Sequence, residues 1–120
     1  MRYNIVAGEA LKKILTGRIT DPIPFNEDLS VGTCDAVPFT EPFFEQRSDT
    51  HCVTVEAYKQ NFSEFLNILP RLSPDDEVHL YFGEDKTCVA NRKFLLDYLQ
   101  GRVGKTVLHI VDEYTGDELR

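Results

Sequence analysis

Basic residues are in short supply. Thirteen lysines and arginines stand against 20 aspartates and glutamates in a chain of 120 residues, a formal net charge of -7. An acidic balance of this size repels phosphate backbones and anionic lipid surfaces unless the cations gather into a patch, and they do not gather along this chain. Nucleic acid is therefore disfavoured as a partner. Cysteine is scarce too: Cys34, Cys52 and Cys88 are odd in number and lack the close spacing of a zinc knuckle. No secretory leader precedes the first strand-like run at Tyr3, so reduced thiols and a cytoplasmic location are expected. No apolar run approaches the roughly 18 residues that a membrane-crossing helix needs. The chain also lacks GxSxG, GxxxxGK[ST] and GxGxxG segments and any HxxxH pair, so the usual nucleophile-elbow, P-loop, dinucleotide and zinc signatures are missing. There is no internal repeat and no low-complexity segment.

What is present suits one domain with one real core, spanning residues 1–120 with a 42% hydrophobic content. "YNIVAG" (3–8) reads as a buried strand, and Ala10, Leu11, Ile14 and Leu15 then recur at helical spacing until Gly17. "TDPIPF" (20–25) is a second strand whose Pro22 and Pro24 lack N–H groups on one side, which places it at a border of the sheet. Residues 26–53 show no sustained period and are expected to form a long irregular loop, with a short helix near Pro42 to Arg47. From the N-cap Thr54, the residues Val55, Tyr58, Phe62, Phe65, Leu66 and Leu69 make one helical stripe that ends at Pro70. "EVHLYFG" (77–83) is a strand, Val89, Leu95, Leu96 and Leu99 form a helical face up to Gly101, and "KTVLHIV" (105–111) is the last strand. Strands alternating with helices imply parallel pairing with right-handed crossovers. The expected fold is a three-layer α/β/α, Rossmann-like or flavodoxin-like domain with an open, mainly parallel four-stranded sheet in the order 2-1-3-4. Its winding reverses between strands 1 and 3, where a ligand crevice belongs.

The carboxyl ends of all four strands run into acids: Glu9, then Glu27 and Asp28, then Glu84 and Asp85, then Asp112 and Glu113. In a parallel sheet these ends share one rim, which can hold a divalent cation, with Asp28, Glu84 and Asp85 as ligands. The plainer reading is that acids favour the first turn of a helix, facing the positive end of its dipole. Cys88 sits early in a helix, where the dipole can activate a thiol, yet Asn91 and Leu95 on the same face turn it toward the core. Asn91 itself needs partners and either anchors a loop or meets a ligand. His79 and His109 lie within strands and read as core or edge residues. Arg47 is a lone cation in the long loop beside Phe43 and Phe44, and loops of that length are more often functional than inert.

The segments "IVAGEALKKIL" (5–15), "FNEDLSVG" (25–32), Arg47 and "VHLYFGEDKTCVANRKFLLDYL" (78–99) together resemble the bacterial family called domain of unknown function 1835. That family carries a GDS-like turn after strand 1, a D-D-L-x-x-G-P segment after strand 2, an arginine in the next loop and an aromatic strand end leading into a helix. Glu9 and Thr33 depart from its usual Asp-Ser and proline. The resemblance implies a site at Gly8, Glu9, Asp28, Gly32, Arg47, Glu84, Asp85, Cys88 and Asn91, and it brings no established activity.

Two functional readings follow. In one, the rim binds a small molecule or nucleotide-type ligand, with or without hydrolase-like turnover; Asp28 with Glu84 or Asp85 takes a cation or polar groups, Arg47 clamps an anion and Asn91 orients the ligand. In the other, the domain is a non-catalytic regulatory module whose loop aromatics, Phe39, Phe43 and Phe44, contact a protein partner.

Overall fold

Two prolines decide where the sheet ends. Pro22 and Pro24 bracket Ile23 in the short strand β2 (Pro22–Pro24), and neither has an N–H to offer a further neighbour, so β2 pairs only with β1 (Arg2–Val6). The computed structural model, which describes residues 1–119, adds β3 (Glu77–Phe82) and β4 (Lys105–Ile110) in the all-parallel order β2-β1-β3-β4. This is the expected 2-1-3-4 sheet. Ile5 lies opposite both Ile23 and Leu80, and Leu80 opposite Leu108, so one aliphatic row crosses all four strands.

Among the described residues, five α-helices complete the three layers: α1 (Glu9–Leu15), α2 (Glu41–Thr50), α3 (Val55–Asn61), α4 (Ser63–Ile68) and α5 (Lys86–Leu99). Alternation along the strands assigns them to faces. Tyr3, Ile5, Val78, Leu80 and Phe82 point one way and join Phe43, Tyr58, Phe65, Leu95 and Leu99 in the larger core. Val6 and Tyr81 point the other way and, with Val111, meet Leu11 and Leu15 of α1 in a smaller one. Each aliphatic or phenyl side chain fully buried in this way contributes about 1.5–3 kcal/mol over its exposed state.

Three expectations are corrected. The stretch 26–53 is not irregular throughout, because α2 occupies ten residues of it. The long helix expected over 54–69 is interrupted: Phe62 leaves helical geometry (φ -134°, ψ 41°), which seats its ring edge-on against Phe25 and Tyr58. The buried stripe of α5 is Cys88, Asn91, Leu95 and Leu99, whereas Val89 is exposed. Among the described residues, no helix is long and apolar enough to cross a membrane.

Candidate functional site

The chain leaves β1 into α1 on one face and leaves β3 into α5 on the other, so the winding reverses between these strands and opens a crevice at their carboxyl ends. Beside it, over β1 and β2, lies a cavity of about 550 Å³ lined by Gly8, Asn26, Glu27, Asp28, His51, Tyr58 and Asn61 among others. That volume is in the usual range of small-molecule sites.

The floor of the cavity is organised around Glu27. Its side chain is fully buried, and four groups donate to it: Arg47 through Nε (3.0 Å) and NH2 (2.9 Å), the Tyr58 hydroxyl, His51 Nε2 (2.5 Å) and the backbone N–H of Asp28 (2.7 Å). Burial pushes the Glu27 carboxyl up, but the hydrogen bonds from Arg47, Tyr58, His51 and Asp28 outweigh it and hold the group down to about 2. Burial, reinforced by the same carboxylate, pushes the Tyr58 hydroxyl up, so Tyr58 is a fixed donor. The Glu27 carboxylate accepts from His51 Nε2, so that nitrogen carries a proton, and Nδ1 has no hydrogen-bond partner among the described residues. The ring keeps 32% of its side chain in solvent and lies nearly parallel to Tyr58.

Arg47 is not an anion clamp. It has no solvent exposure, and besides Glu27 it donates to the carbonyls of Val31 (2.8 Å), Thr33 (3.1 Å) and Asp28 (2.8 Å), so its whole fork is committed to the loop after β2. Asn91 does the same from α5: its Oδ1 accepts from the Leu29 N–H (2.9 Å) and its Nδ2 donates to the Glu27 carbonyl (2.7 Å). Of its two sequence readings, the structure places Asn91 as a loop anchor. Gly32 belongs to this loop as well, with φ +72° and Thr50 so close that an added Cβ would stand 2.3 Å from it.

The remaining sequence candidates divide into two groups. Gly8 lines the cavity, and Glu9 stands at its edge, where Asn26 Nδ2 donates to it (3.4 Å) and to the Asn61 carbonyl (2.9 Å). Asp28 is half-buried and accepts from the Ser30 N–H and hydroxyl; those bonds, outweighing burial, hold its carboxyl below the ordinary value, with help from Thr87 on α5. Glu84 is exposed. The expected cation set of Asp28, Glu84 and Asp85 does not converge; among the described residues the one group of three possible ligands is Asp85, Cys88 and Glu113. Within it, Asp85 caps α5 by accepting from the Cys88 N–H (2.7 Å), and the Cys88 thiol donates to Glu113 (3.0 Å). The helix end does not activate that thiol. Burial and Glu113 push Cys88 up, and Asp85 in turn pushes the Glu113 carboxyl up through their hydrogen bond.

The loop aromatics are core residues rather than a docking patch. Phe43 and Phe44 are buried, and Phe39 is ringed by Phe43, Phe65, Phe94 and Tyr98 at centroid distances of 4.9–5.7 Å. Sequence reasoning missed His51 and Tyr58 and passed over Glu27. The available signal was spacing: Arg47 and His51 are four residues apart, one helical turn, and so share a face. No family model matches the chain, nor does any curated protein or solved structure.

Proposed function

We propose that the cavity above Glu27 binds a small polar molecule and that His51 serves there as a general base, a hydrolase-like arrangement. The observation that supports this is the Glu27–His51 pair: a buried carboxylate, its charge balanced by Arg47, fixes the tautomer of a partly exposed imidazole that lines a cavity of ligand size. In such a pair the open Nδ1 takes a proton from water or a substrate hydroxyl, and the carboxylate stabilises the imidazolium that forms; assistance of this kind contributes about 10²- to 10⁴-fold.

The wall chemistry narrows the ligand. Asn26 and Asn61 offer amide and carbonyl groups, Asp28 and Glu9 are acidic, and Arg47 has no donor to spare. A neutral or cationic polar molecule, such as a nucleoside, suits these walls without help, whereas a nucleotide phosphate needs a divalent cation to screen it. The resemblance to domain of unknown function 1835 is part of this proposal and adds no activity to it. Burial of Phe43 and Phe44, with Phe39 partly buried and packed against the same core, takes away the feature that favoured a protein-docking module.

A thermal-shift panel of nucleosides, and of nucleotides with Mg²⁺ or Mn²⁺, tests the reading. A true ligand at about 100 times its Kd stabilises by about 2.7 kcal/mol, a shift on the order of 10 °C for a domain of this size. His51→Ala is expected to lose catalysis while the fold persists. A panel without any shift, or shifts that survive Asp28→Ala and Tyr58→Phe undiminished, would place the ligand elsewhere.

A further inference from the structure

The face of the sheet that carries α1 also holds a polar chain that the cavity above Glu27 does not use. Glu77, His79 and Tyr81 alternate along β3 on this face, and His109 stands opposite Tyr81 on β4. The His79 Nε2 bonds the Glu77 carboxylate, the His79 Nδ1 lies 2.7 Å from His109 Nε2, and the His109 Nδ1 bonds the Glu118 carboxylate. Tyr81 stacks on His109 at 4.3 Å with the rings 3° from parallel, and its hydroxyl accepts from Arg2 (2.8 Å).

Hydrogen counting makes this arrangement unusual. Both outer contacts end on carboxylates, so each imidazole spends its N–H outward, and two neutral rings then present two lone pairs to each other across 2.7 Å. Either a proton, which makes one ring an imidazolium donating to the other, or a metal cation relieves this opposition. A carboxylate behind each imidazole, fixing its tautomer and pointing the other nitrogen inward, is the outer support found around metal-bound histidines.

We infer that His79 Nδ1 and His109 Nε2 form a site for a borderline divalent cation of the Zn²⁺, Ni²⁺ or Cu²⁺ class, with Glu77 and Glu118 as the outer carboxylates. Imidazole nitrogen selects these ions over Mg²⁺ and Ca²⁺, which prefer oxygen. Two nitrogens each about 2.05 Å from one ion lie about 2.9 Å apart at the right angle of a square-planar site and about 3.3 Å apart at a tetrahedral angle, so from 2.7 Å the rings need to part by about 0.2–0.6 Å and to turn until both lone pairs meet at the ion. The ion takes the place of the proton that otherwise bridges the rings, and that proton leaves to solvent. Access is from the His109 side, whose side chain is 21% exposed against 8% for His79. Water completes the coordination.

The test is titration calorimetry of the whole protein with Ni²⁺ and Zn²⁺, alongside Mg²⁺ as a control, with Co²⁺ absorption to identify the ligands. One Ni²⁺ or Zn²⁺ per chain is expected, with no Mg²⁺ uptake and no thiolate charge-transfer band with Co²⁺. His109→Gln, a partly exposed residue whose loss leaves the core intact, should abolish binding. Glu118→Gln should weaken it about 10- to 100-fold. Absence of uptake, uptake that survives His109→Gln, or a thiolate band placing the ion at Cys88 would each overturn the assignment.

Discussion

Arg47 and Glu27 meet with no solvent on either side chain, two nitrogens of one fork facing the two oxygens of the other at 3.0 and 2.9 Å. Desolvating both charges is expensive, and their mutual attraction offsets it only because every remaining donor and acceptor is also satisfied. Three backbone carbonyls take the rest of the guanidinium, while Tyr58, His51 and the Asp28 N–H take the rest of the carboxylate. The pair therefore ties the loop after β2, helix α2 and helix α3 into one unit, and the cavity floor is that unit.

Removing one partner strands the other charge in the core. Arg47→Met and Glu27→Gln should each lose about 3–5 kcal/mol, a large part of the stability of any small domain. The double variant Arg47→Met/Glu27→Leu should recover part of the loss, since neither charge is then left alone. Urea unfolding followed by circular dichroism measures all three, and single-variant losses under about 1 kcal/mol would contradict the anchoring role.

Acid should loosen the same unit. Glu27 is held down to about 2 in the folded chain against an ordinary value of 4.5. A group depressed on folding contributes stability that is fully present above the unfolded value and disappears as pH falls through the folded one. The window is therefore from about pH 5 down to about pH 2, and the gap is worth on the order of 3 kcal/mol. Unfolding free energies at pH 7, 4 and 2.5 should fall in that order. In Glu27→Gln the fall should be distinctly shallower.

The sheet was legible because its signals are local. Pro22 and Pro24 mark an edge by themselves, and the alternating runs at 3–8, 77–83 and 105–111 each declare a strand. Helix α2 hid its length because its buried stripe, Phe43, Phe44, Arg47 and Ser48, is half polar, so no amphipathic period stands out. The cavity was only partly legible for a related reason. Gly8 and Asp28 follow from strand ends, but Glu27, His51 and Tyr58 converge from three segments, and only the folded chain shows that Arg47 faces inward. The two strand histidines likewise reveal their contact only once the parallel register of β3 and β4 is known.

Asn91 offers a prediction that separates shape from hydrogen bonding. Its amide satisfies the Leu29 N–H and the Glu27 carbonyl, both in the loop that Arg47 also holds. Asn91→Leu keeps the branched shape, with somewhat more bulk, but orphans both backbone groups, and a buried unsatisfied group costs about 1–3 kcal/mol. The expected loss is about 2–4 kcal/mol, with faster amide hydrogen exchange at Leu29. Asn91→Asp should be at least as damaging, because an acceptor would then face the Glu27 carbonyl. An Asn91→Leu variant as stable as the parent would contradict the anchor.

Cys88 should be the least reactive of the three thiols in the native state, despite standing at a helix start. It is 3% exposed, its thiol donates to Glu113, and burial pushes it up, so the thiolate that alkylation requires is suppressed. Cys52 is exposed and Cys34 intermediate. Brief iodoacetamide treatment followed by peptide mass spectrometry should therefore label Cys52 first and Cys88 only under denaturing conditions. The Glu113→Gln variant sharpens the test: it removes a carboxylate that disfavours the thiolate but leaves the burial, so labelling of Cys88 should remain slow. Rapid native labelling of Cys88 would mean that the α5 amino terminus opens to solvent, and the burial argument would fail with it.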